Sequence, residues 1–169
     1  MRNKIIFFTL AIFLSVFSIF AILFWVVYPL KYSSYILQYS KQYNLNASLV
    51  ASVICVESRF NKTVVSSSGA SGLMQIMPST FTWVKQQIDC EEDIFNPQTN
   101  INAGCYYLSY LFKKYQNQIF VLACYNAGEG VVISWGDCRN FTIDQIKYTE
   151  TKNYVNKVLS LLWLYNSRL

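Results

Sequence analysis

The 169-residue sequence predicts one transmembrane helix within residues 1–30, followed by a mainly α-helical domain over residues 31–169. Three observations carry this reading. Residues 5–30 hold no charge and are rich in Phe, Ile, Leu and Val, a longer run than the roughly 20 residues that cross a bilayer core. Beyond it, apolar residues recur at i, i+3, i+4 and i+7, the spacing of one helix face. No convincing series of alternating strands, internal repeat or low-complexity tract interrupts that pattern.

The apolar run exceeds the ~7 to 15 residues of a secretory signal's core, and no small-residue cleavage site follows, so a retained anchor is expected. Arg2 and Lys4 precede it and Lys31 follows. This bias modestly favours a cytoplasmic N-terminus, a single pass and an external C-terminal domain. Lys31 to Tyr43 reads as a short amphipathic helix. Asn44 to Asn46 breaks it, and Asn46 suits the N-cap of a helix through Arg59. Asn61 to Ser71 is polar and reads as a loop. Pro78 suits the first turn of a helix reaching about Ile88. Residues 89–100 form a polar connection in which Asn96-Pro97 marks a turn, and from about Pro97 to Tyr115 apolar residues give another helical stripe. Ile119 to Asn126 is almost wholly apolar, so composition leaves buried strand and buried helix open. Gly128 ends that run, Glu129 to Trp135 suits a short helix, and residues 136–145 read as loop. Thr149 to about Asn166 is the last helix.

Composition excludes several chemistries. The sequence has no His, and its five cysteines lack the close pairing of a zinc site. A Ser-His-Asp triad and a Cys-His dyad are equally improbable. Cys55, Cys105 and Cys124 fall in apolar helical patterns and read as core residues; Cys90 and Cys138 fall in polar stretches and are the pair to test for a disulfide. Beyond the first 30 residues, 12 Lys or Arg face 9 Asp or Glu. So mild an excess suits an anionic wall or membrane surface, and without a basic run or binding motif it gives no nucleic-acid signature.

One residue breaks the pattern. In VICVESRF, residues 53–60, Glu57 follows Val50, Val53 and Ile54 at helical spacing, on or beside a stripe that should face the core. A buried carboxylate is costly unless paired or protonated. The plain alternative is a helix-end carboxylate that pairs with Arg59 or Lys62 at the surface.

Four stretches answer together: Glu57-Ser58, Gly69 to Pro78 (GASGLMQIMP), Ala123 to Gly128 (ACYNAG) and Glu150 to Val155 (ETKNYV). In this order and at these separations the sequence resembles the lytic transglycosylase catalytic domain of the soluble lytic transglycosylase (SLT) type, related in fold to goose-type lysozyme. Asn96-Pro97, Asn100-Ile101, Gly104 and Tyr107-Leu108 support the match, which spans about residues 33–160. The resemblance implies a lysozyme-like helical fold and cleavage of the β-1,4 bond between N-acetylmuramic acid and N-acetylglucosamine in peptidoglycan, with a 1,6-anhydro product. It implies Glu57 as the single catalytic acid and base, and Ser58, Met74, Gln75, Tyr125, Asn126, Glu150 and Tyr154 as residues that hold substrate or support the site. Lys152 stands where the family often has Arg, which makes a bidentate pairing with Glu150 doubtful. No metal or cofactor is implied. The expected partners are peptidoglycan glycan strands, the cytoplasmic membrane through the N-terminal helix, and proteins of an envelope assembly. Two alternatives stand beside this reading: a hydrolytic muramidase, in which Glu129 or Glu150 could approach as a second acid, and an inactive glycan-binding scaffold.

Overall fold

The structure, a computed structural model, describes Phe7 and residues 12–19 and 28–169. Residues 1–30 and 31–169 are two separate compact units. The predicted membrane span lies largely outside the described residues. Within it residues 12–19 are helical, and the hydroxyls of Ser15 and Ser18 donate to the carbonyls of Ile12 and Leu14 at 2.8 Å. Such back-bonding satisfies a hydroxyl inside an apolar helix. Among the described residues, no helix is long and apolar enough to cross a membrane.

The second unit contains seven α-helices: α1 (Ser33–Gln42), α2 (Ala47–Ser58), α3 (Pro78–Lys85), α4 (Pro97–Tyr115), α5 (Gln118–Ala127), α6 (Glu129–Ile133) and α7 (Thr149–Asn166). The predicted loop after Trp135 carries two 3₁₀ turns, Cys138–Asn140 and Ile143–Gln145. The open choice for residues 119–126 resolves as helix. Asn117 caps it, its side chain accepting from the Phe120 N–H at 3.0 Å, and this local signal outweighs the strand-like composition. Asn46 caps α2 as expected, accepting from the N–H groups of Ser48 at 2.8 Å and Leu49 at 3.3 Å. Asn46→Ala therefore lowers stability by about 1 kcal/mol, readable as a lower thermal midpoint.

Helix α2 is the centre of the unit. Val50, Ala51, Val53 and Ile54 have no exposed surface, because α2 packs against both α1 and, most extensively, α7. Helix α5 is similarly enclosed, with Val121 to Cys124 wholly buried between α4 and α7. A helix apolar on every side must be surrounded, and these two occupy the interior while α4 presents one face inward. All five cysteines are free thiols, and Cys55, Cys105 and Cys124 are buried as predicted. Cys90 lies beside a cavity with Tyr39 and Gln98, and Cys138 beside another with Lys114 and Arg139, so no Cys90–Cys138 bridge forms.

Candidate active site

Glu57 lies in the last turn of α2, which Arg59 and Phe60 end in left-handed conformations at φ 50° and 61°. Two such non-glycine residues in succession are costly and persist only where packing enforces them. Here Phe60 is buried and packs on Tyr165 of α7, ring centroids 6.1 Å apart. The sharp stop leaves Val56 and Glu57 half-buried, while Ala51 to Cys55 are closed off. Burial raises its pKa to about 7, and contact with the Tyr154 hydroxyl acts in the opposite direction. A position at the negative end of a helix also disfavours the carboxylate.

Among the described residues the ion pairs are Lys85–Glu92, Lys114–Glu129, Arg139–Asp137 and Lys152–Asp144. Glu57 thus pairs with neither Arg59 nor Lys62. No second carboxylate is among the influences on its pKa. Glu129 is bound to Lys114 and to the Tyr115 hydroxyl; burial raises its pKa, but these partners outweigh burial and hold it below the ordinary value. Glu150 stands exposed in the first turn of α7. Lys152 pairs with Asp144 at 3.0 Å.

Two tyrosines enclose the carboxyl. Tyr154 is 6% exposed on α7, and its hydroxyl has no well-formed hydrogen bond, so its contact with Glu57 is a looser one. Tyr125, on α5, donates to the Met74 carbonyl at 2.8 Å. Burial, and then the Glu57 charge, push its pKa well above the ordinary value, which keeps it a neutral donor. Tyr125→Phe leaves that carbonyl without its partner. It lowers stability by about 1 to 2 kcal/mol, measurable by urea unfolding.

The segment from Gly69 to Pro78 forms the opposite wall. Ser71 makes antiparallel bridges with Val65 and Ile76, and Gln75 sits at φ 48°, so the chain doubles back. The Gln75 amide nitrogen donates to the carbonyls of Val64 at 3.0 Å and Gly72 at 2.9 Å, which fixes the amide within the loop. Gln75, Met77, Thr80, Tyr107, Tyr125 and Asn126 line a cavity of about 210 Å³. A second cavity, of about 300 Å³ beside Tyr39 and Cys90, holds none of the predicted site residues.

Two predicted contacts differ in the structure. Met74 has no exposed surface and cannot offer an apolar face to a sugar. It fills the space beside Gly104, where a Cβ would meet its sulfur at 2.3 Å. The Ser58 hydroxyl donates to the carbonyls of Leu73 at 2.8 Å and Ile54 at 3.1 Å, so it ties the end of α2 to the opposite wall and leaves Glu57 alone. Both side chains hold the framework around Glu57 and the Gly69–Pro78 segment.

In sequence Asn100 stands out only as part of a helix-start pattern, with no role at the site. Wholly buried in α4, it accepts from the Met74 N–H at 2.7 Å and donates to the carbonyls of Ser71 at 3.0 Å and Ile94 at 2.9 Å. One amide thus holds the cavity wall at two points. Gly72, at φ +79°, must be glycine, because a Cβ there would lie 2.3 Å from the Asn100 amide nitrogen. An Asn among apolar residues on a predicted helix's inner face, spaced from glycines in a preceding loop, was the available signal.

Tyr125 links the two parts of the site: its hydroxyl feels the Glu57 charge, and its ring lines the cavity. The transglycosylase SLT domain matches residues 34–147. The chain belongs to this family. The soluble lytic murein transglycosylase of Salmonella typhimurium is 35% identical over 145 residues, 79% of this chain and 22% of that protein. Membrane-bound lytic murein transglycosylase C of Actinobacillus pleuropneumoniae is 30% identical over 131 residues, 69% of this chain and 36% of that protein. Among solved structures, the 70-kDa soluble lytic transglycosylase of Escherichia coli superposes with a TM-score of 0.76 at 34% identity, over 83% of this chain and 25% of that one. Lytic transglycosylase Slt of Pseudomonas aeruginosa, solved as an inactive glutamate-to-glutamine mutant, gives 0.76 at 27%, over 83% of this chain and 25% of that one. This SLT chain therefore spans about a quarter to a third of the length of these relatives.

Proposed function

We propose that this SLT domain cleaves the β-1,4 bond between N-acetylmuramic acid and N-acetylglucosamine in peptidoglycan, with Glu57 as sole acid and base and a 1,6-anhydro sugar as product. The observation that carries the reading is the Glu57 carboxyl, half-buried without a counterion and with its pKa raised to about 7 by desolvation. Near neutral pH such a group holds its proton for about half the time, so it can protonate the glycosidic oxygen and then accept a proton as an ordinary carboxylate would not.

Ordinary glycosidases set a second carboxylate roughly 5 to 9.5 Å from the first, as nucleophile or as base for water. Here Glu57, once ionised, takes the proton of the muramoyl C6 hydroxyl. The proton that Glu57 gave has by then released the leaving sugar, so the C6 oxygen attacks the electron-poor C1 and closes the anhydro ring. The nucleophile belongs to the substrate, so its attack has the advantage of an intramolecular reaction. Tyr125, Gln75 and Asn126 hold the substrate beside Glu57, with Tyr125 kept neutral by its surroundings. Tyr154 steadies the carboxylate from behind. Glu150, exposed as it is, contributes through the start of α7.

The 26 uncharged residues of 5–30 support a single-pass anchor with the domain on the external side, where the wall lies. The name of the membrane-bound relative agrees with this placement. The test is release of soluble fragments from purified peptidoglycan by the full-length chain in detergent. Activity that falls as the pH rises through about 7 supports the reading; no release at any pH overturns it. Because Tyr154 favours the ionised form, Tyr154→Phe shifts that fall to higher pH, a displacement that general damage to the fold would not produce.

A further inference from the structure

We propose that the cavity of about 300 Å³ between α1 and the start of α4 is a second binding site, for a small amide that carries an ammonium group, such as a lysine-like unit of a short peptide. Its walls are Tyr39 of α1, Gln98, Thr99 and Asn102 of α4, and Asp89 to Glu91 of the connection between α3 and α4. None of these lines the cavity that holds Tyr125 and Gln75, so the inference does not depend on Glu57. The volume lies at the lower end of the roughly 300 to 1,000 Å³ of small-molecule sites.

The floor supplies hydrogen-bond donors. Thr99 is 3% exposed and Asn102 7%. The Thr99 hydroxyl makes no hydrogen bond among the described residues, although its backbone N–H is taken by the Asn96 cap. The Asn102 carbonyl oxygen accepts from the Tyr43 hydroxyl at 2.6 Å, which leaves the Asn102 amide N–H groups without an acceptor among the described residues. The Tyr39 hydroxyl, also buried, accepts from the Gln98 amide at 2.9 Å, so its own proton is left to donate. Buried polar groups are nearly always matched, and three that line one cavity call for an acceptor inside it. None of the three is a cation. They suit a neutral carbonyl, since a carboxylate there would be buried without a counterion.

The mouth supplies negative charge. Asp89 and Glu91 are both exposed and enter none of the ion pairs among the described residues. Glu91 uses one oxygen to accept from the Asn96 amide at 2.8 Å. Lys85, whose charge reaches Cys90, is held by Glu92. Among the described residues no three His, Cys, Asp or Glu side chains are placed to hold a metal ion, so an organic ammonium and not a bare ion fits the mouth. A carbonyl at the floor and an ammonium at the mouth define the two ends of the ligand.

The test titrates the full-length chain in detergent with Nα-acetyl-lysine amide, followed by calorimetry. Two companion probes each lack one end: the Nε-acetylated form has no charge, and pentylamine has no carbonyl. Each binds about three- to tenfold more weakly than the parent probe. Thr99→Val weakens the parent probe by a similar factor, and Thr99→Ser, which keeps the hydroxyl, does not. Asp89→Asn with Glu91→Gln removes the advantage over the Nε-acetylated form. No binding of the parent probe overturns the site, as do equal binding of all three probes and affinities unchanged in the folded variants. Should Thr99→Val not fold, Cys90 decides, because its free thiol lies in the cavity wall while that of Cys138 lies in another. The parent probe must slow alkylation of Cys90 by iodoacetamide in a saturable way and leave Cys138 unchanged. An equal effect on both thiols, or none on Cys90, overturns the site.

Discussion

Glu57→Gln lowers wall cleavage by about a hundredfold or more and at the same time makes the fold more stable above pH 7. Both effects come from one cause. Burial holds the Glu57 pKa at about 7 against an ordinary 4.5. Between those values the folded chain keeps a proton that the unfolded chain has released. The contribution of Glu57 to stability is therefore fully present below about pH 4.5 and is lost as the pH rises through 7. Glutamine fills the same space without a charge to desolvate. The gain in unfolding free energy from the substitution grows from near zero at pH 4 to about 3 kcal/mol at pH 8. Urea titrations of the two proteins at both pH values check the sign. A variant less stable than wild type at pH 8 means that the carboxylate is stabilising, and then its burial is no sign of a functional demand.

Asn100→Ala costs the fold about 3 to 5 kcal/mol, the largest stability loss expected of any single side chain in the cavity wall. Three backbone groups lose their partner together: the buried Met74 N–H and Ser71 carbonyl and the half-buried Ile94 carbonyl. Asn100→Asp is expected to be nearly as damaging. It keeps the acceptor for Met74 but sets a carboxylate against two carbonyls that need a donor. Cleavage falls in both variants even at temperatures where they remain folded, because the Met74 carbonyl anchors Tyr125. The urea midpoint at constant slope reads the stability. A loss under about 1 kcal/mol for both variants would mean that the loop holds its shape without Asn100.

Legibility in the sequence followed the range of each interaction. Helix starts depend on a few neighbouring residues, so Asn46 and Pro78 marked theirs. Helix ends depend more on packing: α3 stops at Lys85 and α6 at Ile133, short of the predicted Ile88 and Trp135. Glu57 stood out because a carboxylate at apolar helical spacing is a local anomaly that needs no tertiary knowledge. Met74 did not reveal its side of the wall, since periodicity carries no information in a segment that doubles back through a left-handed Gln75. Asn100 lies 26 residues from the Met74 N–H that it holds, and no local pattern shows such a bond. Ring contacts join α3 to α4 in the same long-range way, so only the folded chain brings Trp83 against Tyr107 and Tyr110.

In the proposed reaction one carboxyl and a hydroxyl of the substrate do the work of two enzyme groups. Mass spectrometry of the soluble products of purified peptidoglycan, digested by the full-length chain and by Glu57→Gln, tests it most directly. Muropeptides one water lighter than hydrolysis products, absent with Glu57→Gln, are the predicted result. Reducing-end muropeptides from wild type would contradict it, because water would then be the nucleophile and a second group would have to position it.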